Sequence, residues 1–392
     1  MADRRTTRCC SAVALIAVST IAVAAQPRFL FKHADEHPLA LTPTRTAWTL
    51  ALNARLVQAP AFDEVNAYFA LEQGRIAAYQ LVPGTLKWIV NAQPATAMVA
   101  GDGLLFFARD DQLVALSASN GSIAWTKAFS GHLGVAPVWA NGWLIVAAQD
   151  GKVAAFRARD GQGIWQQDIG SAPHAPPAIS GDHVYVPADD DVVIALEVET
   201  GAPVWQRRLG GMPNEILALD DRIFVGSTDH YMYCLDTADG RVDWRTRAGS
   251  EIRGLPAVDE RRVYFVSLDN VLRAVNRSHG VQQWIQMLKF RPLGGPVKAG
   301  DTIVVSGLQP PLRAFNIEDG KAASDIDVNG LIAAPVHLTE AVGPPPGLVV
   351  VTRDIAAGDS VMLVVRAIDP PITPYAAFGN PLESVPRLSP GS

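Results

Sequence analysis

The stretch Trp143-Leu144-Ile145-Val146-Ala147-Ala148-Gln149-Asp150-Gly151-Lys152-Val153-Ala154-Ala155-Phe156-Arg157-Ala158-Arg159-Asp160-Gly161-Gln162-Gly163-Ile164-Trp165 decides the fold. Residues 143–148 are an apolar run of strand length. Asp150-Gly151 is a hairpin signal, because both residue types tolerate positive φ. Residues 152–157 supply the returning strand. Arg159-Asp160-Gly161 turns the chain again, and Ile164-Trp165-Gln166 opens an outer strand. Upstream, residues 135–139 with Pro137 predict an inner strand, since a residue without an N–H suits the start or edge of a sheet. The stretch therefore reads as four antiparallel strands in one compact unit. Gly, Pro and β-branched residues interrupt every candidate helix.

The unit repeats. Trp48, Trp88, Trp125, Trp165, Trp205, Trp244 and Trp284 follow one another at steps of 40, 37, 40, 40, 39 and 40, and one more step of 40 reaches Ser324. Four residues before each mark stands Gly84, Gly121, Gly161, Gly201, Gly240, Gly280 or Gly320. Ten before stands a small residue: Ala78, Ala115, Ala155, Ala195, Cys234, Ala274 or Ala314. Fourteen before is turn chemistry, from Gly74 and Asp111 to His230 and Asn270, and twenty-eight before is often proline, as at Pro60, Pro137, Pro177, Pro256 and Pro296. A period near 40 built of short strands marks a β-propeller. Each indole buries roughly 150–250 Å², an upper bound of about 4–6 kcal/mol, so one ring per repeat suffices to pin neighbouring sheets.

The marks also count the blades. Seven intervals close between 48 and 324, and strand-like runs follow at 333–336, 348–352 and 361–368 with no further Gly-x-x-x-Trp ending. Residues 47–50 form an outer strand with no blade before them. The economical solution is an all-β, eight-bladed propeller of four-stranded antiparallel blades, in which the N-terminal strand completes the C-terminal blade and leaves no free edge within the ring.

Around this body, residues 1–25 read as a signal peptide. Arg4, Arg5 and Arg8 precede a small and apolar run from 11 to 25, and Ala22-Val23-Ala24 offers a cleavage site. A retained N-terminal anchor is the alternative. Residues 26–44 read as a linker, 45–371 as the propeller, and 372–392, with four prolines, as a disordered tail. The full chain carries 33 Lys and Arg against 39 Asp and Glu; loss of the leader leaves 30 against 38. That balance argues against a nucleic-acid partner. The 48% apolar content excludes disorder for most of the chain. Cys234 would be the sole mature thiol, so no internal disulfide forms.

The pattern Ala-x-Asp/Asn-x-x-x-Gly-x-x-x-Trp, read at Cys234-Leu235-Asp236 with Gly240 and Trp244 and at Ala274-Val275-Asn276 with Gly280 and Trp284, resembles the tryptophan-docking motif of quinoprotein-type, PQQ-like propellers. The seven tryptophans are thereby expected to be structural. The resemblance implies one of two branches: pyrroloquinoline-quinone dehydrogenases, or non-catalytic BamB-like propellers of outer-membrane protein assembly. The dehydrogenase branch implies adjacent cysteines and a Ca²⁺ site of Glu, Asn and Asp type. Here the adjacent pair Cys9-Cys10 lies in the leader, and the densest acidic run, Asp189-Asp190-Asp191, falls at a repeat turn. The eight histidines show no metal-ligand spacing, and neither a P-loop nor a Gly-x-Ser-x-Gly elbow occurs. Cys234 replaces a packed alanine and reads as structural; His230 reads as an exposed turn residue.

The expectation is therefore an exported, monomeric, non-enzymatic scaffold with protein partners in the periplasm or wider cell envelope. No cofactor, metal or catalytic residue is assigned. A PQQ-dependent oxidoreductase or quinone binder is the alternative, and a sugar- or polymer-binding sensor has no residue pattern in its favour. Topology places the candidate partner-binding residues on the loops that leave each outer strand: His132, His174, Glu215, Glu251, Arg253 and Arg291. They differ from blade to blade, so the fold does not dictate them.

Overall fold

The computed structural model describes residues 39–129, 131–219, 221–354 and 358–367. The residues expected to form a signal peptide, the first part of the expected linker with His33 and His37, and the expected Pro-rich tail lie outside the described residues. Among the described residues the secondary structure is all β, in eight antiparallel sheets. Blades 1 to 7 span 61–91, 99–128, 138–168, 178–208, 213–247, 257–287 and 297–326, each with four strands in sequence order. The inner strands of neighbouring blades contact one another around the axis.

Each second strand is buried almost throughout, as in Trp143–Ala147 and Thr302–Val305. A strand covered on both faces reads as a continuous apolar run, which is why strict alternation is missing from the sequence there. Eight apolar clusters fill the space between the sheets.

The repeat positions acquire distinct jobs. The small residue ten before each tryptophan is its cross-strand partner, as in Ala155 with Trp165 and Cys234 with Trp244. A bulge follows at once, with Ile164 as the extra residue in blade 3. The N–H of each repeat indole then donates to a carbonyl in the next blade, as Trp48 to Leu81 at 2.9 Å, Trp88 to Ala118 at 3.0 Å, Trp165 to Val198 at 2.8 Å and Trp284 to Ile317 at 3.0 Å. These carbonyls lie in the turn between that blade's third and outer strands. The repeat glycine in the same turn lies against the ring. Gly201 has φ +73°, and a Cβ on it would stand 2.5 Å from Trp165. The glycine therefore serves two needs, positive φ and room for an indole from the preceding blade.

Two strand expectations need correction. The inner strand of blade 3 is Val138–Ala140, not 135–139. Pro137 stands just ahead of it, as Pro60, Pro177, Pro256 and Pro296 stand ahead of theirs. Lacking an N–H, proline precedes the ladder rather than joining it. In the last blade the expected inner strand 333–336 is an interruption. Leu331–Ile332 and His337–Thr339 flank it, both pairing with Gly347–Asp354, and Pro335 lies in the gap.

The eighth blade is composite. Gly358–Arg366 pairs with Gly347–Asp354 on one side and with the N-terminal strand Thr44–Ala51 on the other. Trp48 lies opposite Leu363, with the same bulge just before it. Closure by the two chain ends is thus present. Leu41 is fully buried among residues of blades 7 and 8, so the packed body begins earlier than residue 45.

Candidate partner-binding rim

The loops that enter blades 1, 3, 4, 6 and 7 each form a bridge to the end of that blade's second strand, among them Leu133 with Ala148, Pro173 with Ala188, Ile252 with Ser267, and Pro292 with Gly307. The loops and the turns between second and third strands consequently share one face, the rim. The turns reach it through positive φ at Gly74, Gly151, Asp191, His230 and Asn270. His230 is half-buried rather than exposed, because its carbonyl accepts from Ala248 N–H at 2.7 Å and holds it against the following loop.

Three of the six candidate residues come together. Glu251 and Arg253 form a two-bond ion pair, Nε to Oε1 at 2.7 Å and Nη2 to Oε2 at 3.2 Å. Glu215, one blade earlier, accepts from Gly254 N–H at 3.0 Å. Asn214 beside it donates to Ile252 O at 2.6 Å. The blade 5 inner strand therefore grips the next loop by two hydrogen bonds. The hydrogen bond and charge of Glu251, then the charge of Glu215, raise the Arg253 pKa further above its usual range. The guanidinium remains largely exposed, so it is oriented yet available.

The other three stand apart. His174 lies 3.4 Å from Asp189 across its own blade end, and both are substantially exposed. His132 borders a cavity of about 690 Å³ between blades 2 and 3, with Phe129, Phe156, Asp111 and Gln166. Arg291 is exposed on the next loop after Arg253. None of these three makes a polar contact with another candidate.

Several rim features escaped the sequence reading. Gly254 and Gly295 bring successive loops into backbone contact: a Cβ on Gly254 would lie 2.2 Å from Gly295 N, and one on Gly295 would lie 2.0 Å from Leu255 O. Gly294 in turn faces Pro335 of the closing blade. These glycines sit outside the repeat frame, and that was the available signal. Leu255, Leu293 and Leu308 are exposed by 49%, 39% and 56% on this side. The rim of blades 5 to 7 thus combines a fixed ion pair with scattered exposed leucines, a mixture typical of contact surfaces.

The interior offers little chemistry. Burial pushes the Cys234 thiol up to about 11, against the hydrogen bond from Arg222, so it is a packing residue. Asp189, Asp190 and Asp191 lie in their turn, and no group of three or more His, Cys, Asp or Glu among the described residues is placed to share a metal ion. His337 stacks on Phe62 at 3.7 Å and 4° across the seam between blades 8 and 1, and burial lowers its pKa to about 4.

A family of PQQ-like repeats, described as outer membrane protein assembly factor BamB, matches residues 39–127, 72–216 and 210–333. The chain belongs to this family. Among solved structures, BamB from Moraxella catarrhalis is 21% identical, with a TM-score of 0.64 over 82% of this chain and 97% of that one. The quinohemoprotein alcohol dehydrogenase from Comamonas testosteroni is 12% identical, with a TM-score of 0.63 over 86% of this chain and 78% of that one. A computationally designed protein, Ika8, reaches 0.67 at 13% identity over 81% and 99%. At these identities the structural likeness speaks for the propeller fold alone. No curated protein matches the sequence.

Proposed function

We propose that this chain is an exported, non-enzymatic scaffold of the bacterial cell envelope that binds protein partners through the rim of blades 5 to 7, in the service of outer-membrane protein assembly. The family match across most of the propeller carries the reading. The Glu215–Gly254 and Glu251–Arg253 contacts support the choice of surface, because they present one arginine in a set orientation between exposed leucines. Such a surface recognises a carboxylate beside an apolar side chain.

The test is affinity capture from envelope extracts. Components of outer-membrane protein assembly are expected to co-purify with the wild-type chain. The pair Glu251→Arg with Arg253→Glu is expected to lower their recovery at least about tenfold while leaving the fold intact. Unchanged recovery, or capture of no assembly component, would refute the proposal. The oxidoreductase alternative is checked separately by adding PQQ and Ca²⁺ and following dye reduction, which a scaffold does not support.

A further inference from the structure

We infer that the outer cleft between blades 4 and 5 is a binding site for a phosphate-bearing group. On an outer strand, residues alternate between faces. The face that carries Trp205 docks on blade 5 and also carries Arg207, whose Nε donates to Gly240 O at 2.6 Å. On the facing strand Val242–Arg247, Trp244 turns toward blade 6. Arg245 and Arg247 therefore turn back toward blade 4. Arg245 lies 4.7 Å over the ring of Tyr231, and Tyr231 packs with Trp205 in the apolar layer between the two blades. Arg247 is in register with the same tyrosine. Three guanidinium groups thus line one cleft.

No carboxylate pairs with them among the described residues. Asp243, on the same strand, is taken by Arg222 at 2.5 Å and Arg241 at 3.2 Å. Asp229, at the rim end, accepts from the Tyr233 hydroxyl at 2.5 Å and from Tyr231 N–H at 3.2 Å. The corresponding positions at the next cleft are Thr246, Ile285 and Met287, and at the preceding one Gln167, Gln206 and Arg208. Arg245 also meets the Tyr233 hydroxyl, which links it to Asp229, but none of the three has a direct ion-pair partner among the described residues; three such guanidinium groups are a property of this cleft and not of the repeat. In a chain with a net charge of −6 they form a local field of opposite sign. Guanidinium forks match phosphate oxygens in pairs, and the tyrosine face holds one of them in place.

The phosphate can belong to a lipid headgroup or to a soluble phosphate ester, and two arms separate these sources. In the first, the full chain is co-sedimented with mixed phosphatidylglycerol–phosphatidylcholine vesicles and with pure phosphatidylcholine vesicles, at low and high salt. In the second, inorganic phosphate and glycerol 3-phosphate are titrated and followed by NMR. Arg245→Glu with Arg247→Glu is expected to weaken binding at least about tenfold in whichever arm shows it. The matched reversal Lys127→Glu with Lys289→Glu, at exposed sites away from the cleft, is expected to change it less than about twofold. Circular dichroism and thermal melting establish that both variants fold. Salt-sensitive binding to the anionic vesicles alone supports the site and assigns it to lipid; binding in the soluble arm supports it and assigns it to a free ester. Absence of binding in both arms, equal loss in the two variants, or binding of poly-glutamate in preference to every phosphate probe would overturn the inference. The proposal stands apart from the rim, so its failure leaves the scaffold reading untouched.

Discussion

Blades 1 to 7 are each made from one continuous segment, whereas blade 8 joins residues from both ends of the chain. The difference explains an irregularity of the repeat. Each of the seven repeat tryptophans docks on the turn between the third and outer strands of the following blade. In blade 8 no such turn exists, because its third strand ends at Arg366 and its outer strand begins at Thr44. Ala367 N–H and Pro43 O meet there instead, at 2.7 Å. An indole at Ser324 would have no receptor, and the repeat drops the tryptophan where its partner is missing. Leu41 fills the seam in its place, fully buried against Ala314, Ile326, Met362 and Val364, while Leu41 N–H donates to Asp301 at 3.2 Å.

This contrast can be broken experimentally. Deleting residues 1–51 removes Leu41, Trp48 and the closing strand, and exposes the long edge of Gly358–Arg366. The expected result is aggregation or loss of the folded monomer in size-exclusion chromatography, with partial rescue by a peptide spanning 39–57. A well-behaved truncated monomer would show that closure is dispensable. Next in size, Leu41→Ala is expected to cost about 2–4 kcal/mol in denaturant melts, as for a fully buried leucine.

Asp359 sharpens the comparison at the other end of the same blade. It is buried, accepts two bonds from Arg353 at 2.7 and 2.8 Å, and accepts Leu56 N–H at 2.8 Å. Asp359→Ala is expected to cost about 2–3 kcal/mol, against less than about 1 kcal/mol for Asp325→Ala in the exposed Arg313–Asp325 pair of blade 7. Equal effects would deny blade 8 a special latch. Within the ordinary blades, Gly201→Ala must displace the Trp165 ring and strain a φ of +73°, whereas Gly103 at φ +71° faces open space. The expected difference between the two alanine variants is about 1–2 kcal/mol.

A comparable effect, revealed by pH, belongs to the blade 8–blade 1 seam. His337 has a folded pKa of about 4 against 6.5 when free. Between these values the unfolded chain binds the proton and the folded chain does not. Stability is therefore full above pH 6.5 and declines as pH falls through that window, by about 1–2 kcal/mol at pH 5. His337→Phe should flatten this part of the pH profile in thermal melts, whereas an unchanged profile would exclude His337 as its source.

Much of the fold was legible because the repeat imposes the same constraint many times. The tryptophan frame, the small cross-strand partner and the turn glycine each recur, so blade number and closure followed from counting. Strand limits were less legible, as at 135–139 and 333–336, because proline marks a boundary without saying on which side the ladder begins. The rim was half legible. Glu215, Glu251 and Arg253 were found as residues outside the frame, but their contact, the Gly254–Gly295 approach and the Phe129–Phe156 cavity depend on how loops from neighbouring blades meet. The blade 4–5 arginines were invisible as a group, since Arg207 and Arg245 lie in different repeats.

By itself the sequence determined a ring of eight sheets, the residues that pin each sheet to the next, and the pairing of the two chain ends. These properties rest on local periodicity and on interactions that every blade repeats. The tertiary structure alone decided which unlike side chains share a cleft, which carboxylates are already occupied, and which seam goes without its indole. Such facts arise between segments far apart in the chain, where closing the ring, not the local pattern, sets the neighbours.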